Sequence, residues 1–265
     1  MNAPESLHLD DVQSRPDERN VPIEAVGIKG IRYPVCLRSG ERVVPSIATL
    51  AMTVELAPAA KGTHMSRFVE LLDAQTRALD PLGFEQMAVE MLSKLSARTG
   101  SIEMRFPYFV RKAAPVSGVQ SQLDYEVCWR SAVSAQGERS FGMEVRVPVT
   151  SLCPCSKEIS EYGAHNQRSC IRIDAELLAS VSIEELIGVA EASASCELYG
   201  LLKRPDEKYV TERAYDNPKF VEDLVRDVAV SLNEDRRIGA YVVEAENFES
   251  IHNHSAFARV TRSMA

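Results

Sequence analysis

Alternation and helical recurrence divide the chain into a repeated order of elements. Residues 25–36 and 46–57 are rich in Val, Ile and Thr, with Ser39, Gly40 and Pro45 between them, and read as two strands joined by a turn. The period then changes. Met65, Phe68, Val69, Leu72 and Leu79 recur at helical spacing, as do Phe84, Met87, Met91, Leu92 and Leu95, with Pro81 and Gly83 separating the two helices. Two strands follow. In the one around 121–132, Leu123, Tyr125, Val127 and Trp129 alternate with Asp124, Glu126, Cys128 and Arg130, which predicts one buried face.

The same order then returns. Met143, Val145, Val147 and Val149 alternate with polar residues, and Ile171, Ile173, Ala175 and Leu177 alternate with Arg172, Asp174 and Glu176. A helix is predicted from about 183, with Ser182 and Glu185 at capping-box spacing. Another is predicted from Asn217, with Pro218 in its first turn and a stripe of Val221, Leu224, Val225, Val228 and Leu232. Strands near 237–248 and 255–263 close the chain. The expectation is an α+β fold of β-β-α-α-β-β taken twice, with helices on one face of antiparallel strands. The predicted organisation is a mobile tail over 1–20, a first unit over 21–135 and a second over 136–265, the seam falling near Ala135 to Glu138. Each half would hold a four-stranded sheet with open edges, and an oligomer whose sheets join into a barrel would remove those edges.

Composition narrows the class. The 265 residues are 45% hydrophobic and 26% charged, as in ordinary soluble globular proteins. That length buries a full core without disulfide or metal staples. A net charge of −8 argues against a general nucleic-acid binder, which needs a basic stripe. No apolar run is long enough for a membrane helix, and the polar start lacks a signal-peptide pattern, so a cytoplasmic location is expected. In a reducing compartment, Cys36, Cys128, Cys170 and Cys196, each alone in a periodic segment, read as packing residues. His8, in the tail, carries no role.

One segment is dense in reactive side chains. Between Ser151 and Ser169, a single connection holds Cys153, Cys155 and His165, with Pro154 and Gly163 shaping its backbone. Thiolate and imidazole are preferred zinc-type ligands, and catalytic metal sites keep a position open for water. The Cys-x-Cys spacing does not complete a structural finger, so a metal site, a Cys–His nucleophile and inert packing all stay open here. His252 and His254, spaced by two, fall on the same face of an extended segment. Arg204 to Lys208 reads as an acidic exposed loop, and Glu222 as the polar side of the last helix.

Cys153-Pro-Cys-Ser-Lys-Glu-Ile-Ser160 and Tyr162-Gly-Ala-His-Asn-Gln-Arg-Ser169 resemble the signature of the type IB GTP cyclohydrolases. Lys61-Gly-Thr-His-Met-Ser-Arg-Phe68, Leu202 to Lys208, Asp216 to Asp223 and Ser250 to His254 match further segments of that family, in order, across about residues 21–263. The resemblance implies the tunnelling fold, two β-β-α-α-β-β units per chain, and homo-oligomers, typically tetramers, with active sites at subunit interfaces. It implies hydrolysis of GTP to 7,8-dihydroneopterin triphosphate and formate, the first step of tetrahydrofolate synthesis. It further implies one divalent ion (Mn²⁺, Zn²⁺ or Fe²⁺) to activate water, held by Cys153, His165 and Glu207. His252 would be a further ligand or a proton shuttle. Glu222 would grip the N–H edge of guanine, and Lys61, His64, Arg67 and Arg168 would meet the triphosphate. Cys155 would be a thiol beside the site or a disulfide partner of Cys153. Two alternatives stay open: a related cyclohydrolase making a cyclic-phosphate pterin, and a non-catalytic metal-binding protein. Against a third, a nitrile oxidoreductase of the same fold, stand the clustered Cys153 and His165 and the lack of a glycine-rich dinucleotide fingerprint.

Overall fold

Strands that alternate in this way bury one face when they lie side by side under a second layer, here one of helices. The computed structural model describes residues 11–263 apart from Ser14 and Glu41. Its elements run β1 (Ile23–Ser39), β2 (Arg42–Leu56), α1 (Ser66–Asp73), α2 (Pro81–Leu95), β3 (Gly100–Ala113) and β4 (Gln120–Val133). They continue with β5 (Arg139–Leu152), α3 (Pro154–Ile159), β6 (Asn166–Leu177), α4 (Ile183–Ser193) and β7 (Cys196–Glu197), then α5 (Arg204–Asp216), α6 (Val221–Glu234), β8 (Ile238–Asn247) and β9 (Ala256–Arg262). The molecule is α+β. Its strands form one antiparallel sheet in the order β1-β2-β3-β4-β5-β6-β8-β9, with β7 paired to β5.

The two halves do not keep separate four-stranded sheets. Glu126–Val133 of β4 pairs antiparallel with Arg139–Arg146 of β5, so the sheet runs through the expected seam. The seam itself is a tight turn, in which the Ser134 and Glu138 backbones bond at 2.9 Å and Gly137 takes φ 82°, a value suited to glycine. The open edges are β1 and β9.

One face of the sheet carries the helices. Its side chains (Met52, Met104, Trp129, Met143, Val145, Ile173 and Val243) are 0–1% exposed and form one core with Phe68, Phe84, Leu186, Leu224 and Val228 from the helices. Phe84, Phe106 and Phe141 each turn an edge to Trp129, with ring centroids 5.4–5.8 Å away. The opposite face is ionic. Glu144 receives Arg172 at 2.8 Å and Arg146 at 3.1 Å, while Arg172 also reaches Asp174 and Glu244. Burial alone would raise the Glu144 pKa, but the Arg172 and Arg146 guanidiniums outweigh it and hold the carboxyl at about 2.

Element boundaries differ from the sequence reading in three places. Pro81 and Gly83 do not separate the two helices but lie in the first turn of α2, and Leu79 falls beyond the end of α1 at Asp73. Arg204 to Lys208 is the first turn of α5 rather than a loop. The last long helix starts at Val221 rather than Asn217, because Asn217 closes α5 with its N–H on the Arg213 carbonyl, and the Lys219 N–H is drawn to Leu152. The tail expected over 1–20, with His8, lies outside the described residues up to position 10. Beyond that, Gln13 Nε2 donates to the Thr63 carbonyl at 2.7 Å and the Asp17 N–H to Ala59 at 2.9 Å.

Candidate active site

β5 ends at Leu152, and Cys153 leaves the sheet to cap α3, with Pro154 in the first-turn position where its missing N–H costs nothing. The Cys153 Sγ accepts the Ser156 N–H at 3.4 Å. Ser156 Oγ donates to the Cys153 carbonyl at 3.1 Å and accepts the His165 N–H at 3.2 Å. The Cys153 N–H donates to the His165 carbonyl at 3.1 Å. Gly163, at φ 129°, turns the chain back for this closure. Thiol and imidazole are therefore held by one hydrogen-bonded knot, although twelve positions separate them.

Two other segments close a cavity over this knot. The Lys219 N–H donates to the Leu152 carbonyl at 3.0 Å, which docks the start of α6. The Phe248 N–H donates to the Arg168 carbonyl at 3.0 Å, which brings the segment after β8 alongside β6. The cavity has a volume of roughly 310 Å³, and its wall includes Cys153, His165, Gln167, Lys219, Glu222, Asn247, Glu249, His252 and His254. The His252 and His254 rings are stacked, 5.2 Å between centroids and 8° from parallel. A larger cavity, about 640 Å³, lies between α2 and α4 and is lined by neither Cys nor His.

Of the residues singled out from sequence, Cys153, His165, Glu222 and His252 thus share one wall. Glu207 does not: it is exposed on the first turn of α5, outside that wall. Among the described residues no three His, Cys, Asp or Glu side chains converge closely enough to hold an ion. Lys61, His64 and Arg67 gather at α1, which packs near β1 at the far end of the sheet order. There His64 Nε2 meets Asp11 at 3.0 Å, and Arg67 Nη1 donates to the Lys94 carbonyl at 3.1 Å. Arg168 contributes its carbonyl to the site's framework, but it does not line the cavity. Cys155 is exposed and outside the wall.

Four polar wall residues received no role from sequence: Gln167, Asn247, Lys219 and Glu249. For Gln167 and Asn247 the signal was present, since both are polar residues in core phase on their strands. Lys219 and Glu249 gave none.

Residues 9–258 match the family model described as type I GTP cyclohydrolase folE2. The chain is 61% identical over 255 residues to GTP cyclohydrolase FolE2 of Paraburkholderia xenovorans, covering 96% of this chain and 95% of the relative. It is 58% identical over 254 residues to GTP cyclohydrolase FolE2 of Cupriavidus necator, covering 96% and 95%. Among solved structures it is similar to uricase from Arthrobacter globiformis, with a TM-score of 0.54 over 91% of this chain and 93% of that one, at 9% identity. Urate oxidase from Bacillus subtilis gives 0.52, over 91% and 98%, at 8% identity. At such identity the likeness is one of fold.

Proposed function

This chain belongs to the type I GTP cyclohydrolases of the FolE2 kind, and on that premise we propose that the cavity walled by Cys153, His165, Glu222 and His252 is where it acts on GTP. The enzyme is a hydrolase of cyclic amidine C–N bonds that converts GTP and water to 7,8-dihydroneopterin triphosphate and formate, in folate biosynthesis. The observation that carries the siting is the knot that joins Cys153 and His165 in the lining of the cavity that Glu222 also lines.

The donor set suits a divalent ion, because a thiol and imidazoles face the same space. Cys153 and His165 would hold it with Glu207, and His252 stands beside them as a further donor or a proton carrier. An ion bound there (Mn²⁺, Zn²⁺ or Fe²⁺) supplies the Lewis acidity that makes water nucleophilic at neutral pH. Glu222 binds the N–H edge of guanine through its carboxylate and turns C8 toward the reacting water. As the proton carrier, His252 would take the proton of the hydroxyl added at C8 and deliver it to N9 as the C8–N9 bond opens, and would later protonate N7 as the C8–N7 bond breaks and formate leaves.

Lys61, His64, Arg67 and Arg168 are assigned to the triphosphate. The first three stand near β1, far along the sheet from this cavity, so a homo-oligomer that joins sheet edges, a tetramer in our reading, would bring them in from a neighbouring copy. Glu207, exposed and outside the wall, is completed in the same way. The two-unit division at residue 135 and the barrel belong to this reading too. No helix among the described residues is long and apolar enough to cross a membrane, and the six free thiols fit the reducing cytoplasm we assign.

Cys153→Ala is expected to lose both metal uptake and formate release. Glu222→Gln is expected to load metal normally but to raise KM for GTP by roughly 10–100-fold, the worth of about 1.5–3 kcal/mol for a charged hydrogen bond. Metal analysis and a formate assay on purified protein check both. Full turnover in Cys153→Ala, or an unchanged KM in Glu222→Gln, rejects the corresponding role.

A further inference from the structure

Strand alternation assigns four positions near the cavity to the core, and polar residues occupy them. Val145, Val147 and Val149 lead in phase to Ser151, Ile173 and Ile171 lead back to Ser169 and Gln167, and Val243 and Ala245 lead to Asn247. The four are buried, at 0%, 1%, 7% and 3% exposure respectively. A hydroxyl or carboxamide out of water costs free energy unless it is hydrogen-bonded. These residues bond to one another, because the register sets Ser151 opposite Gln167 and Ser169 opposite Asn247.

The bonds form a single file that starts on the site. His165 Nδ1 lies 3.0 Å from Gln167 Oε1, Gln167 Nε2 is 2.8 Å from Ser151 Oγ, Ser151 Oγ is 2.7 Å from Ser169 Oγ, and Ser169 Oγ is 2.8 Å from Asn247 Oδ1. The direction of every link follows from its far end. Asn247 Oδ1 only accepts, so the Ser169 hydroxyl donates to it. Ser151 must then donate to Ser169, which leaves the Ser151 oxygen to accept from Gln167 Nε2. Gln167 Oε1, the other end of the same amide, can only accept, and it takes the N–H of His165 Nδ1. The hydrogen of the neutral imidazole is thereby fixed on Nδ1, and the lone pair lies on Nε2.

We infer that Gln167 is a positioning residue that fixes the tautomer and ring orientation of His165, with Ser151, Ser169 and Asn247 fixing Gln167 in turn. Its value to the enzyme rests on the reading of His165 as a metal ligand: Nε2 is presented as a ready donor. The tautomer itself does not depend on that reading. A neutral core would be simpler to build from apolar residues, and a file of four buried polar side chains is explained by the ring it holds.

The experiment compares Zn²⁺ affinity, by chelator competition, in the full-length wild type and in Gln167→Met, Gln167→Glu and His165→Gln. Loss of the acceptor in Gln167→Met is expected to weaken binding by about 10–100-fold. Gln167→Glu keeps an acceptor facing Nδ1, and Ser151 can turn to donate to it, so its affinity is expected to stay close to wild type. If Gln167→Met fails to fold, Ser169→Ala takes its place, with a smaller loss in the same direction. Wild-type affinity in that variant, while His165→Gln loses binding, overturns the inference. If His165→Gln binds Zn²⁺ normally, the ligand reading is what fails. The tautomer then decides the inference by ¹⁵N-histidine NMR of the metal-free protein. An Nδ1–H signal from His165 that shifts to Nε2–H in Gln167→Met upholds it, and an unchanged pattern overturns it.

Discussion

Asp206 is enclosed completely, yet it lies one residue from the exposed Glu207. Its carboxylate accepts the Val116 and Ser117 N–H groups, the Ser117 hydroxyl and the Lys203 N–H, all at 2.6–2.8 Å. Burial alone would raise its pKa, but these donors outweigh it, Ser117 foremost, and hold the group well below the ordinary carboxylate range. A carboxyl with a depressed pKa contributes stability that is whole above the unfolded value of about 3.9 and fades as pH falls through and below it. Asp206→Asn should therefore lower the melting temperature at pH 7, with a gap from wild type that narrows below pH 4; melting curves across that range check it. Sequence could not show this anchor, since three of its four donors come from Ser117 and Val116, 89 and 90 positions away. The Cys153–His165 knot was legible because its parts lie in one connection. The polar file behind His165 was legible in principle, as breaks in the apolar phase of three strands. Nothing local said that the breaks would line up, because register alone joins them.

At the scale of elements, α4 follows its sequence signal closely. Glu185 N–H donates to Ser182 Oγ at 3.2 Å, and Glu185 Oε2 accepts the Ser182 N–H at 2.7 Å. Ser182→Ala should cost about 1 kcal/mol, read as a lower urea midpoint at unchanged slope. Helix α5 escaped the same kind of reading for a physical reason. Of its thirteen residues only Asp206 and Ala214 are buried, so it offers no apolar stripe whose period could be seen. It is held instead by polar contacts: Asp206 at its start, the Arg213–Glu197 pair at 2.8 Å, and Asn217 Nδ2 donating to the Ala194 carbonyl at 2.8 Å. The late start of α6 has a similar origin. Pro218 signals a helix start correctly in general, but here the end of α5 and the Lys219–Leu152 bond use the residues it would have opened with.

For the whole molecule, the free edges matter most. β1 spans 17 residues and β9 seven, and among the described residues each has one side of its backbone without a partner strand, although on β1 Leu79 bridges there to Cys36 and Arg38. On β9, Phe257 is 58% exposed. If copies join there, Phe257→Asp should shift the solution mass toward smaller species and lower activity in parallel, because the basic cluster near β1 would no longer reach a neighbour's cavity. Light scattering with a formate assay checks this, and an unchanged mass rejects β9 as a joining edge. The α+β class, the helix-covered face and most strands could be read from alternation. The union of the halves could not, because it depends on the backbone ladder between β4 and β5, which leaves no mark in the side-chain pattern.

That ladder limits how such a chain can change over generations. A fold assembled from self-sufficient modules can shuffle them; here β4 and β5 zip Glu126–Val133 to Arg139–Arg146, and either half alone would expose a raw internal strand. A foreign replacement for either side of that turn would have to offer a strand able to take up the same antiparallel ladder, whatever its side chains.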